Sequence, residues 1–516
     1  MKSEEQAGYD VVIIGGAISG ASTAVLLKRW RPEARILIVE RAERFDRKVG
    51  EATVELSGLF LSRVLGLYDH LLRNHLPKHG LRYWFADRQD QSFEEMAEVG
   101  TDSLPSMPSF QLDRAVLDEH VLEVAVELGV ELLRPAKVVA VELARPENEV
   151  VVEVDGEEQC FRSKWVVDGS GRRAYLSRKL GLFEANEEHP TSAMWGRWTG
   201  VKDMDGKGVL GADVRSPQMP FTRSARRLCT NHFCTYGSWT WAIPLSGGQT
   251  SIGLVWDRRL FDAPEGGTPR ERYQRHVLDA AGLGDLVQDA VLDPEDFKSY
   301  DRLPYTSTRY MGAGWALVGD AASFIDPYYS PGLDHVSYSA YASARIIEED
   351  LSGKLGAAGL ALAIRKHNEE FARSYERWFR GLYLNKYEIM GDAELCGAAY
   401  LMDTAMYFLG KVGRTARDVE EYRHPLLGLD TRGQRFAYRA LRFYSKRLVE
   451  LARARRASGT YGRKNGELRC IAKDFGVGDT PFSSPFRTGI KLWLGVEWDV
   501  LRERWSPRRG RASARV

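Results

Sequence analysis

The stretch Tyr9-Asp10-Val11-Val12-Ile13-Ile14-Gly15-Gly16-Ala17-Ile18-Ser19-Gly20 decides the fold of this chain. Tyr9 to Ile14 is rich in β-branched residues, the composition of a short buried strand. A glycine turn follows, then an apolar helix expected from about Ala17 to Trp30 and a second apolar strand from Ile36 to Val39. The three elements form a βαβ unit with an expected right-handed crossover. Gly15 permits the tight turn, and the helix start beyond it presents free N–H groups and a positive dipole end to a pyrophosphate. Gly20 lets helix and strand approach closely, and Gly16 and Ser19 belong to the same turn. Ala17 stands where the usual G-x-G-x-x-G pattern has its middle glycine. Glu40, followed by Arg41, ends the second strand twenty residues after Gly20. An acid there accepts hydrogen bonds from a ribose hydroxyl and disfavours a 2′-phosphate. A tight turn with no ligand is the alternative, and the flanking elements with Glu40 weigh against it. NAD and FAD fit this unit equally well.

Working outward, a helix is expected over Leu112 to Leu128 and strands over Val150–Val154 and Trp165–Val167. From about residue 190 to 300 shorter strand-like pieces recur: Ser192–Trp198, Trp239–Ile243 and Thr250–Trp256. Beyond Leu333 the pattern is helical through about Ala457. The expected class is α/β: a nucleotide-binding domain of Rossmann type over 1–185, a mixed, sheet-rich substrate region over 186–300, the first domain resumed over 301–350, and a helical substrate or partner region over 351–516.

A chain of 516 residues has room for such a cofactor domain plus a substrate region. Its 72 basic and 71 acidic side chains leave a net charge of +1, which gives no general reason to bind nucleic acid. The Arg-rich run Arg502–Arg515 reads as a solvated tail rather than a polyanion site. Cys160, Cys229, Cys234, Cys396 and Cys470 are scattered and contain no C-x-x-C pair, so neither a disulfide framework nor a metal site is expected. With no apolar signal-type core and no 18-residue apolar run, a cytoplasmic protein without a transmembrane segment is expected.

Three more motifs select the cofactor. Asp168-Gly169-Ser170-Gly171-Arg172 follows a strand, Gly319-Asp320-Ala321-Ala322 follows Trp315–Val318, and Asp113-Arg114 opens a helix containing Leu117-Asp118. In order and spacing, together with the glycine turn, they resemble the FAD-dependent monooxygenase superfamily over roughly the first 350 residues. The resemblance implies FAD, with Asp320 on the ribityl chain and Arg114, Asp168, Gly169 and Gly319 beside the cofactor.

Within that superfamily the chain resembles the flavin-dependent halogenases. Trp239-Thr240-Trp241-Ala242-Ile243-Pro244 matches their W-x-W-x-I-P signature, and the resemblance makes Trp239 and Trp241 an indole wall between flavin and substrate. The plain alternative is two core tryptophans. Lys78, in Lys78-His79-Gly80, lies about 27 residues after Gly50-Glu51-Ala52. Halogenases carry a Lys at this distance from a G-E-[AS] segment whose Glu, here Glu51, lies by the cofactor, and in them that Lys delivers electrophilic halogen. An amine desolvated enough to lower its pKa suits that task. Asp326-Pro327-Tyr328-Tyr329-Ser330-Pro331-Gly332-Leu333 corresponds to the family's halide loop, which places Pro327, Gly332 and Leu333 by the flavin and makes Ser330 and Gly332 the halide candidates. The family's S-S-G or S-T-G is here Ser-Pro-Gly. Pro331 has no N–H, a loss of about 1–3 kcal/mol in halide binding unless Leu333 supplies the donor. Tyr329 occupies the position of the catalytic Glu of tryptophan halogenases, so indole chemistry of that kind is not expected. Asp334-His335 reads as a helix cap or an acid/base pair, and the C-terminal tryptophans Trp493, Trp498 and Trp505 as interior packing.

The resemblance implies reduced FAD from a separate NAD(P)H flavin reductase, O2 and halide acting on a small electron-rich aromatic substrate, free or tethered to a carrier protein. A monooxygenase on the same scaffold is the alternative.

Overall fold

The computed structural model describes residues 8–101, 104–105, 107–205, 224–472 and 483–505. The expected βαβ unit is present: β1 (Tyr9–Ile14), α1 (Ile18–Trp30) and β2 (Ile36–Val39). Val11–Ile14 and Ile36–Val39 are buried throughout, with α1 packed on these strands. Its parallel core runs Trp315–Leu317, Glu157–Asp168, β1, β2, Glu131–Leu133. Val12 pairs with Val166 on one side and Leu37 on the other, so Ile14 lies opposite both Asp168 and Val39. That register brings the glycine turn and the Asp168-Gly169 turn to the same edge, where ligands of open α/β sheets bind.

A second eight-stranded sheet is the other half of the molecule. Thr191–Thr199, Ser238–Pro244 and Gln249–Asp257 form its centre, at the expected places. It also takes in Leu81–Phe85 and Ala97–Thr101 from the first 185 residues and Arg469–Ala472 from the C-terminal region. The middle region is therefore not self-contained. Local strand patterns show which residues are extended, and pairing across hundreds of residues is not written in them. Helices Gly332–Leu351, Ala357–Trp378, Ala393–Tyr407, Arg432–Ser458 and Ser483–Trp505 make up most of the remainder. Trp493 packs edge-on to Phe443 with centroids 6.2 Å apart. Trp498 is 67% exposed, against the expectation of interior packing. Most of the Arg502–Arg515 run lies outside the described residues.

No described helix is long and apolar enough to cross a membrane, and no group of three or more His, Cys, Asp or Glu among the described residues is placed to hold a metal.

Candidate active site

Four glycines bring the nucleotide end together by close packing. A Cβ on Gly20 would lie 1.9 Å from the Gly15 carbonyl oxygen, and one on Gly15, at φ +94°, 2.7 Å from that of Gly169. A Cβ on Gly319 would lie 2.1 Å from Ser19 Oγ. Any side chain there would separate three motifs that lie far apart in the chain. Helix α1 starts at Ile18 after Ala17, with no side-chain cap and no acid in its first turn. Its first amides thus have no intrahelical acceptor, which fits a pyrophosphate. Glu40 is buried beside the turn, accepting from Gly16 N–H and Ala42 N–H at 2.8 Å each. Each carboxylate oxygen retains a lone pair for a ribose hydroxyl. Arg41 is exposed.

Two predicted cofactor residues have partners within the chain. Asp168, with no exposed surface, accepts from Ser170 N–H at 2.9 Å and Leu176 N–H at 2.7 Å, and its carboxylate shapes the turn. Glu51 is held by Arg197 at 2.9 Å. Arg114 makes two bonds to Asp118, at 2.9 and 3.0 Å, and a third to the Val49 carbonyl at 3.2 Å. Asp320 lies near it: burial pushes its carboxyl up while Arg172, Arg114 and Lys48 pull it down. A carboxylate among cations with no intramolecular hydrogen bond of its own among the described residues suits a ribityl hydroxyl.

Lys78 is 3% exposed and donates to the Thr53 carbonyl at 2.7 Å. Burial pulls its ammonium down to about 8, against the opposing pull of Glu55, Cys229 and Asp334. It lines a cavity of about 460 Å³ together with Glu55, Tyr329, Pro331, Asp334 and Asp403. Much of the rest of the wall is aliphatic and aromatic, including Leu382, Phe408, Leu426 and Leu441. Asp334 accepts from Ser57 N–H at 2.8 Å and Tyr407 O–H at 2.7 Å. It therefore ties the helix Glu55–Leu59 to the cavity instead of capping its own helix, and burial pushes it up to about 7. His335, lowered to about 4 by burial, lies 3.1 Å from Ser323 Oγ.

The tryptophan strand is fixed to the loop before the helix Gly332–Leu351 by a buried relay. Trp239 donates to Tyr387 Oη at 3.0 Å, and Tyr387 donates to Asp326 at 2.9 Å. Asp326 also accepts from Tyr328 N–H and lies 2.8 Å from His189 Nε2. Trp241 donates to Ser251 at 3.1 Å, and its ring fills the space left by Gly253 across the ladder. Neither indole borders the Lys78 cavity. Both are packed in the core, as in the plain alternative of two core tryptophans, and Tyr329 and Pro331 line the cavity.

In the halide loop Tyr329 and Ser330 take positive φ, +70° and +55°. Non-glycine residues pay for that conformation, and here it turns the chain into the helix. Ser330 N–H is spent on the Pro327 carbonyl at 2.9 Å, so Ser330 offers no amide to a halide. Pro331 is the N-cap and the helix begins at Gly332, with His335 N–H closing the first turn on the Pro331 carbonyl. The amides of Gly332 and Leu333 are both left without intrahelical acceptors, and a Cβ on Gly332 would meet no protein atom within 4 Å. Two amides without intrahelical acceptors thus remain at this helix start, although Pro331 offers none.

The tryptophan halogenase family model matches residues 10–105 and 85–388. The chain belongs to the tryptophan halogenase family. Flavin-dependent halogenase chlA of Dictyostelium discoideum is 26% identical over 67% of this chain and 60% of its own length. Tetracycline 7-halogenase of Kitasatospora aureofaciens is 27% identical over 63% and 61%. The chain thus spans about 60% of the length of these curated relatives. In fold it is similar to halogenase PltM, solved in complex with phloroglucinol and FAD, with a TM-score of 0.71 at 19% identity over 95% of this chain and 96% of that one.

Against this family background, two residue groups escaped the sequence reading. Arg197, 2% exposed, binds Glu51 and Asp113, with Asp296 at 3.6 Å. It joins the second sheet to the flavin half. Burial pushes Glu51 up to about 7 although Arg197 pulls it down. Asp403 accepts from Tyr329 O–H at 2.9 Å and Lys386 at 2.6 Å, and also pairs with Tyr444. A lone Arg on a strand and a lone Asp on a helix carry no local signature.

Proposed function

We propose that the protein is an FAD-dependent halogenase acting on a small electron-rich aromatic substrate. Bound FAD, reduced by a separate NAD(P)H flavin reductase, supplies with O2 and halide the hypohalous acid. The observation that carries the reading is Lys78: a buried amine in an apolar cavity, poised near neutrality and held on the Thr53 carbonyl. The chain's own residues do the rest. Glycine backbone and α1 amides bind the nucleotide, Glu40 the ribose and Asp320 the ribityl chain. Gly332 and Leu333 amides hold the halide, and Tyr329 and Pro331 of the same loop line the substrate space. Lys78 receives the oxidant and orients it toward the ring, in a pocket dry enough to strengthen each polar contact.

Product mass spectrometry with reduced FAD, O2 and bromide over phenols, pyrroles and indoles tests this reading. Brominated product from the wild type and none from Lys78→Met, with flavin binding intact, is expected; hydroxylated product without bromine favours the monooxygenase alternative.

One observation favours a carrier-tethered substrate. Helix Arg432–Ser458 walls the cavity with Gln434, Ala437 and Leu441 and turns Arg439, Arg442 and Lys446 outward around a groove of about 540 Å³. Arg439 and Arg442 have no carboxylate partner among the described residues, which suits an acidic carrier domain. Such an enzyme belongs to secondary metabolism in the cytoplasm.

A further inference from the structure

Three carboxylates line the Lys78 cavity, and their hydrogen-bond partners separate them. Asp334 is occupied by Ser57 N–H and Tyr407 O–H. Asp403 is occupied by Tyr329, Lys386 and Tyr444. Glu55, at the start of the helix Glu55–Leu59, has only its own backbone N–H as a donor. It is nevertheless the charge that acts most strongly on Lys78. An acceptor left open in a largely apolar pocket is costly unless a bound molecule supplies the missing donor. We infer that Glu55 accepts the hydroxyl proton of a phenolic ring held in this cavity, and so selects phenols over aromatic substrates without an acidic hydroxyl.

The inference rests on the halogenase reading. An electron-rich ring attacks the halogen of hypohalous acid: the C–X bond forms, the X–O bond breaks, and the departing oxygen leaves as water with a proton from the Lys78 ammonium. The ring carbon is oxidised by two electrons and the halogen is reduced by two. Loss of the phenol proton to Glu55 in that step gives a neutral dienone in place of a cation buried in apolar surroundings. The ring C–H proton then returns to Lys78, and Glu55 gives its proton back to the phenol oxygen. Burial raises the Glu55 carboxyl, which makes it a stronger proton acceptor than a solvated carboxylate. Tyr329, with its hydroxyl turned to Asp403, leaves Glu55 as the cavity's open carboxylate.

The test compares wild type, Glu55→Gln and Glu55→Leu on hydroxylated benzenes and their methyl ethers, such as resorcinol and 1,3-dimethoxybenzene. Hypohalous acid release is followed in parallel with a soluble 1,3-diketone trap. Gln still accepts a hydrogen bond but is a poor proton acceptor, so kcat on resorcinol should fall about 100-fold while KM changes less than about threefold. In Glu55→Leu, resorcinol should bind to the oxidised holoenzyme about tenfold more weakly, and the ether with unchanged affinity. Trapped hypohalous acid should stay within about twofold of wild type in both variants, since Glu55 acts after it forms. Undiminished kcat in Glu55→Gln, equal wild-type turnover of phenol and ether, or halogenation of indole or pyrrole but no phenol would each overturn the inference. A wild type that yields no trapped hypohalous acid would sink the halogenase reading itself, and this inference with it.

Discussion

The nucleotide end and the Lys78 cavity hold their ligands by opposite means. At the nucleotide end the chain packs closely on itself: Gly20 against the Gly15 backbone, Gly15 against the Gly169 backbone, Gly319 against the Ser19 side chain. Amides with Glu40 and Asp320 are left to bind, and the stability of the unit and its capacity to bind come from the same close packing. In the cavity an amine and two carboxylates, Asp334 and Asp403, are buried in an apolar wall at a cost in stability, with Glu55 half-buried beside them. Function there is taken out of the stability of the fold. Changes at the first end should therefore damage fold and binding together, and changes at the second should separate them.

Gly20→Ala is the strongest trial of the first half. Its Cβ would sit 1.9 Å from a backbone oxygen that has no freedom to move. Destabilisation of about 4 kcal/mol or more and loss of FAD on gel filtration are expected. A stable, yellow Gly20→Ala protein would show that the motifs can part without cost.

This contrast also explains what was legible in the chain. Glycines at Gly15 and Gly20 are local devices with a local spacing, and so are the flanking strands and Glu40; all were readable. Lys78 was readable through its distance from the Gly50-Glu51 segment. What was not readable depends on distant pairing. Glu51 is 146 positions from Arg197 yet bonded to it, and Trp239 is tied to Tyr387. The open carboxylate of Glu55 emerges only when the partners of Asp334 and Asp403 are known. The helix starts at Gly332 directly after Pro331, whose missing N–H costs no intrahelical bond there because the first amides of a helix have no acceptor.

Lys78→Met should sharpen the contrast, because activity and stability move in opposite directions. Halogenation should fall by about 10³-fold or more. The lysine titrates near 8 in the fold against about 10.4 unfolded. Its ammonium therefore costs stability below pH 8, and the cost fades as pH rises from 8 toward 10. At pH 7 the Met variant should be more stable by about 3 kcal/mol, visible as a higher Tm that converges with wild type above pH 10. Asp334 and Glu51 act in the other sense. Each is pushed up to about 7, so the stability they contribute is complete below about pH 4 and is lost as pH rises through 7. Wild-type Tm should decline between about pH 4 and 7, and Asp334→Asn should flatten that decline. A Lys78→Met protein that melts lower at pH 7 would contradict the placement of the amine in the dry pocket.

Leu333→Pro tests the halide donors with a smaller effect. Proline is tolerated in the first turn of a helix, so the fold should survive while one amide is removed. Bromide KM should rise about 10- to 100-fold with little change in flavin affinity. Gly332→Ala is the matched control: its Cβ enters open space, so halide KM should stay within about threefold. If the two variants behave alike, the Leu333 amide is not a halide donor.

The smallest effect is expected at the surface, where neither backbone packing nor burial is at stake. Arg439→Glu with Arg442→Glu reverses two exposed charges on the helix whose opposite face walls the cavity. Exposed charges contribute little to folding, so Tm should move by less than about 2 °C and turnover of free substrate should be unchanged. Turnover of a carrier-bound substrate should fall about tenfold, chiefly through KM, and the difference should shrink in 0.5 M salt as screening removes the attraction. That salt dependence makes the result specific to charge-guided docking, since damage to the cavity would persist at any ionic strength. Equal KM for free and carrier-bound substrate in both proteins would mean that the basic row guides no partner, and that the cavity takes its ring directly from solution.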